Sequence, residues 1–143
     1  MVSDKFPSHG KLNLSIENGL LIIEGEGPAN IEMVMEYQAR VQAYREKLRH
    51  SPWASLVLLR GIPLLPMEAK NAMVTTIQHA QSLNLVATAV VLGELQYAST
   101  VKEFWTSIYE KTNISYAYFE SRHDAEQWLI RRVLQSQQKS LEG

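Results

Sequence analysis

Three short apolar runs, Trp53 to Leu59, Leu85 to Leu92 and Ile114 to Phe119, alternate with segments whose apolar residues recur every three or four positions. That alternation leaves very few folds open. The first two runs are apolar at consecutive positions near their centres, as interior strands covered on both faces require. A strand, a helix and a second parallel strand are joined by a right-handed crossover, so the pattern predicts a mostly parallel sheet.

The start of the chain departs from this rule. Leu12, Leu14 and Ile16 alternate with Asn13, Ser15 and Glu17, the period of a half-buried strand. Asn18-Gly19 supplies the two positive-φ positions of a type I′ turn, and Leu20 to Glu26 returns as the second strand of a hairpin. Pairing across that turn sets Ile16 by Leu21 and Leu14 by Ile23, so both apolar sets share a face.

Asn30 is a good N-cap with Glu32 in the first turn, and Val34, Tyr37, Val41, Tyr44 and Leu48 mark one stripe of a helix ending near His50, before Ser51-Pro52. Pro66 suits a first helical position, followed by Ala69, Ala72, Met73, Thr76, Ile77, Ala80 and Leu83 on the packing side, with Asn84 as a left-handed cap. Thr100 and Glu103 read as a capping box opening a helix with Val101, Phe104, Trp105 and Ile108, ended near Thr112-Asn113. Ser121 and Asp124 open a last helix that buries Ala125, Trp128, Leu129 and Val133. The order is therefore ββαβαβαβα: one α/β domain over residues 11–134, with a mostly parallel five-stranded sheet and an antiparallel edge hairpin. Residues 1–10 and 135–143 read as tails.

A chain of 143 residues suits one domain, which buries roughly two thirds of its unfolded surface without a disulfide or metal. The formal net charge of −1 gives no bulk electrostatic case for nucleic acid. Without cysteine there is no disulfide framework, thiolate metal site or cysteine nucleophile. MVSDKFPSHG lacks the apolar core of a signal peptide, and Leu85 to Leu92 is too short to cross a bilayer, so the expectation is a cytoplasmic protein that is not transmembrane.

Little in the sequence points to catalysis. His9, His50, His79 and His123 are scattered, none with an i, i+4 partner suited to a metal, and no cofactor is expected. Thr75-Thr76 lies inside a helix, where back-bonding to the preceding turn is the ordinary role. The glycines of GEGPAN, Gly25 to Asn30, lack both the GxGxxG fingerprint and the P-loop lysine, so a tight turn with a helix cap is expected there. Glu24, Glu26 and Glu94 all read as solvated edge residues first, and Glu26 and Glu94 stand at the ligand end of their strands. An enzyme would need Glu26, Arg60, Glu94 and Tyr97 to converge.

What remains is the turn LRGIPLLPMEAK, Leu59 to Lys70. In an open α/β sheet the turns at the carboxyl ends of the strands carry the ligand. This one offers Arg60 and then Ile62, Leu64 and Leu65, while the turn after the next strand brings Leu95 and Tyr97, with Trp105 about a turn into the following helix. Glu26 and Asn30 are secondary candidates at the same end. Such side chains either cap the core or line an exposed patch.

The element order, the hairpin NGLLIIEGEG, the turn after the third strand and the terminal FESRHDAEQWL together resemble the SpoIIAA-like branch of the STAS-like fold, named for sulfate transporters and anti-sigma factor antagonists. Phe119, Ala125, Trp128 and Leu129 match the family's aromatic strand end and its Ala-x-x-Trp-Leu helix. The resemblance covers about Gly10 to Val133. It implies a non-enzymatic module that binds a protein partner or, in some relatives, an apolar small molecule. For the phosphorylated antagonists it also implies a switch serine or threonine opening the second helix. Residues 61–68 here hold Ile62, Pro63, Leu64, Leu65, Pro66 and Met67, with no hydroxyl to phosphorylate.

Two readings follow. In the first, the protein is a regulatory module whose Ile62 to Leu65 turn docks on a protein partner, with a homodimer as one form of that contact. In the alternative it carries or senses an apolar small molecule or lipid, with Ile62, Leu64, Leu65, Tyr97 and Trp105 as walls and Arg60 or Glu94 orienting a polar head.

Overall fold

The computed structural model describes residues 11–27, 29–95 and 97–142, with Glu94 and residues 140–142 described in backbone only. These residues form β1 (Lys11–Glu17), β2 (Leu20–Glu26), α1 (Ile31–Leu48), β3 (Trp53–Gly61), α2 (Met67–Ser82), β4 (Leu85–Leu95), α3 (Ala98–Tyr109), β5 (Ser115–Phe119) and α4 (Arg122–Glu142). The five strands lie side by side in chain order, β1 antiparallel to β2 and every later pair parallel. This is the α/β architecture expected from the alternating pattern.

The hairpin register follows from its turn. Asn18 and Gly19 take φ of 53° and 78°, and Leu14 stands opposite Ile23 and Ile16 opposite Leu21. Because spatial order equals chain order, every crossover steps in the same direction. Right-handed connections then put α1, α2 and α3 on one face of the sheet, and α4 lies on the other. The core is accordingly divided. Leu14, Leu21, Val57, Leu59 and Val90 pack with Tyr37 and Val41 of α1, Ile77 of α2, and Val101, Trp105 and Ile108 of α3. Leu20, Ile22, Ala54, Leu56, Ala87 and Ala89 pack with Ala125 and Leu129 of α4. The three alanines let that helix approach the central strands closely.

Asn30 caps α1 by accepting from the Met33 amide at 3.0 Å, and Ser121 Oγ accepts from the Asp124 amide at 3.2 Å at the head of α4. Other boundaries move. The second helix starts at Met67 rather than Pro66, whose carbonyl accepts from the Lys70 amide, and Asn84 has the expected left-handed backbone. The third helix starts at Ala98, with Tyr97 as a left-handed N-cap at φ 58°, so Thr100 falls within the first turn and the expected capping box does not open the helix. The last helix continues to Glu142, through the stretch read from sequence as a tail. Residues 135–139 contain neither glycine nor proline, and a helix already anchored by its first turns propagates through such a stretch without an apolar stripe.

The end of β2 is locked to the turn after β3 by a close backbone crossing. The Gly27 amide donates to the Arg60 carbonyl at 3.0 Å. A Cβ on Gly27 would stand 2.2 Å from the Ile62 carbonyl oxygen, and one on Gly61, at φ 73°, would stand 2.9 Å from the Gly27 carbonyl oxygen. Gly27→Ala should therefore destabilise the fold by about 2–3 kcal/mol, seen as a lower urea midpoint at unchanged slope. Gly25→Ala, whose Cβ would meet only the Leu59 side chain at an ordinary 3.6 Å, should change stability by less than about 1 kcal/mol.

Candidate ligand cavity

The apolar turn folds inward. Pro63 is buried, its carbonyl accepts the Trp105 indole N–H at 2.8 Å, and the Leu64 amide donates to the Ile62 carbonyl at 2.9 Å. Leu64, Leu65 and Leu95 are half-buried against the core on the three-helix side, and Ile62 is half-buried. The turn therefore caps the core more than it projects from it. The large apolar side chains that do stand out near this rim are Met67, 68% exposed, and Tyr97, 69% exposed.

The polar candidates separate. Leu59 belongs to the core under α1, α2 and α3, so strand alternation turns the exposed Arg60 toward the α4 face, away from the walls named with it. Glu26 is exposed at the rim, and the side chain of Glu94 lies outside the described residues. Asn30 serves as a helix cap. Thr75 and Thr76 donate back to the carbonyls of Asn71 and Ala72, as residues inside a helix do. His50, His79 and His123 are exposed, and His9 lies outside the described residues. No group of three or more His, Asp or Glu side chains suited to a metal occurs among the described residues.

Beneath the turn a cavity runs between the sheet and α1, α2 and α3. Its walls are Leu21, Ile23, Val57 and Leu59 from the sheet, Met33, Val34 and Tyr37 from α1, Met73, Ile77 and Ala80 from α2, and Trp105 and Tyr109 from α3. At the rim it reaches Gly25, Glu26, Gly27, Ala29, Pro63 and Leu65, and at the far end Trp53 and Leu85. About 100 Å³ is open to the centres of water-sized spheres, and the surface is almost wholly apolar. Apolar cavities of this order stay dry and take up an aromatic ring or a short alkyl chain. Of the expected walls, Leu65 and Trp105 line it; Ile62, Leu64, Leu95 and Tyr97 do not.

Besides the Glu26 carboxylate at the rim, three polar residues interrupt the apolar lining deeper in. Ser55 and Thr88, on adjacent strands, share a hydroxyl–hydroxyl bond of 2.9 Å. Arg45, only 4% exposed, donates from Nη2 to the Thr76 carbonyl at 3.1 Å and lies 5.9 Å from the centre of the Tyr37 ring, while its Nε has no hydrogen-bond partner among the described residues. No ion pair among the described residues includes it. A guanidinium held this way keeps a desolvation cost that only partial hydrogen bonding offsets. Sequence reasoning passed over Arg45, although a signal was present: it lies four residues after Val41 and three before Leu48, on the same stripe as Tyr44.

Burial raises the Tyr37 phenol above its ordinary range, against the opposing pull of the Arg45 charge and hydrogen bond. Burial likewise raises Tyr109, with the neighbouring Tyr118 and Tyr37 adding to it. Outside the cavity, Tyr116 stacks on Tyr109, and its hydrogen bond to the Glu110 carboxylate pushes its pKa up to about 12.

No family model and no curated protein matches the sequence. The structure nevertheless defines its architectural class: a single α/β domain with a SpoIIAA-like fold. It is similar to the crystal structure of an uncharacterized protein of the DUF3478 family from Shewanella loihica PV-4, described as SpoIIAA-like, with a TM-score of 0.61 and 14% sequence identity over 87% of this chain and 97% of that one. At that identity the likeness concerns the fold, as the hairpin and the terminal Trp-Leu helix led one to expect. No helix among the described residues is long and apolar enough to cross a membrane.

The raised tyrosines give a signed pH dependence. Tyr37, Tyr109 and Tyr116 hold their protons more tightly folded than unfolded, so the stability they contribute is complete below pH 10.0, the ordinary tyrosine value, and is lost as the pH rises through the raised values. Thermal melts should be insensitive to these groups up to that pH and fall steeply beyond it. Glu110→Gln should lower the Tyr116 titration, followed by phenolate absorbance, toward the ordinary tyrosine range.

Proposed function

We propose that the protein is a non-enzymatic binding module for a small apolar molecule, held between the sheet and α1, α2 and α3. The observation that carries this reading is the cavity itself: an apolar space of about 100 Å³, walled by aromatic and aliphatic side chains from the sheet and all three helices. The half-buried state of Ile62, Leu64 and Leu65 shifts the balance from a turn that docks outward to one that roofs a pocket. A partner-binding role keeps one specific support. The exposed Met67 and Tyr97 begin α2 and α3 beside that roof, where a regulatory contact could sense the occupied state.

Native mass spectrometry of the protein purified from a heterologous host tests the reading: a bound small-molecule mass, released on denaturation, supports it. Val57→Phe, which places a ring in the cavity, should abolish that adduct and uptake of an apolar fluorescent probe while leaving stability within about 1.5 kcal/mol of wild type. Equal probe binding by wild type and variant would place the ligand elsewhere and remove the basis of the proposal.

A further inference from the structure

We infer that the molecule this cavity accepts is an anion, a small monocarboxylate bearing an aromatic ring or short alkyl chain, seated with its carboxylate against the Arg45 guanidinium. The inference rests on the preceding reading of the cavity as a ligand site and adds the ligand's charge and orientation.

Three observations converge on it. Arg45 is 96% buried, lines the cavity and has no carboxylate partner among the described residues, so the enclosed positive charge is uncompensated. Buried charges are ordinarily paired, and an unpaired one in an apolar space is stabilised by whatever anion can enter. The second observation is hydrogen bonding. Nη2 is engaged by the Thr76 carbonyl while Nε has no acceptor among the protein's described groups, and a guanidinium edge presents its N–H groups in the geometry that a planar carboxylate accepts.

The third observation is the distribution of polarity along the cavity. The first helix leaves the carboxyl end of β2 and returns to the start of β3, so Arg45, near the helix end, sits toward the amino-terminal ends of the strands. Ser55 and Thr88 are the third and fourth residues of β3 and β4, at that same deep end. The rim combines the apolar Ala29, Pro63 and Leu65 with the Glu26 carboxylate, whose negative charge disfavours an anion there and leaves the deep end as its seat. A carboxylate entering first therefore leaves its apolar body among Val57, Met73 and Ile77. In this arrangement the polar head lies at the deep end, away from the exposed Arg60 at the rim. A single cation in so small a space matches one negative charge, which favours a carboxylate over a phosphate dianion.

A purely structural arginine would behave differently, and calorimetry on the full chain separates the two cases. Wild-type protein should bind hexanoate and phenylacetate at least roughly tenfold more tightly than 1-hexanol and 2-phenylethanol, and should reject hexylamine. Arg45→Met should erase the carboxylate preference while retaining the alcohols, and should melt no lower than the wild type without ligand. Equal affinity of wild type for acid and alcohol would overturn the inference while leaving the apolar cavity reading intact. Binding of none of the probes would overturn both. Should Arg45→Met fail to fold, wild type alone decides: its melting temperature must rise with hexanoate and not with hexylamine at equal concentration. An unchanged acid preference in a folded Arg45→Met variant would also overturn it.

Discussion

Crossovers that always step the same way govern this molecule. Three right-handed connections in succession place three helices on one face of a five-stranded sheet and leave the other to a single helix. The single helix solves its packing with small residues, Ala54, Ala87 and Ala89, and the contact closes tightly. The three-helix side is built from large, differently shaped side chains, among them Tyr37, Met73, Trp105 and Tyr109, whose outlines leave a gap. The cavity is thus a product of topology together with side-chain size, and it falls on the side where the strand-end turn can roof it.

The roof depends on backbone contact more than on side chains. Gly27 and Gly61 let the end of β2 and the start of the turn cross closely, and from that fixed crossing the chain runs through Ile62 and Pro63 to the Trp105 indole. The turn that looks in sequence like an exposed greasy tip is thereby drawn down onto the core. Its hydrocarbon is half-hidden, and Arg60, one residue before Gly61, is carried to the opposite face.

Local rules carried the reading of the fold a long way. Asn18-Gly19 set the hairpin and its register, the apolar runs set the strands, and Asn30 and Ser121 set two helix starts, because each of these is decided by neighbours in the chain. Boundaries governed by non-local geometry were less legible. The left-handed Tyr97 opens α3 where a capping box three residues later was the better local signal. The site was the least legible part. Which wall a leucine of residues 62–65 faces depends on the glycine crossing, and the solitary charge of Arg45 has meaning only once α1 is seen to lie over an enclosed space. The charged residue on an apolar helical stripe was visible in the sequence; what it faces was not.

The three tryptophans are divided by the sheet. Trp53 and Trp105 both touch the cavity, whereas Trp128 packs on the far side against Phe119, under the Arg132 guanidinium. The chain thus contains two chromophores at the pocket and one insulated from it by a layer of backbone. Replacing Trp128 by phenylalanine leaves a tryptophan emission, excited selectively over tyrosine, that originates from the pocket's walls alone, so the protein can report optically on its own interior without a label.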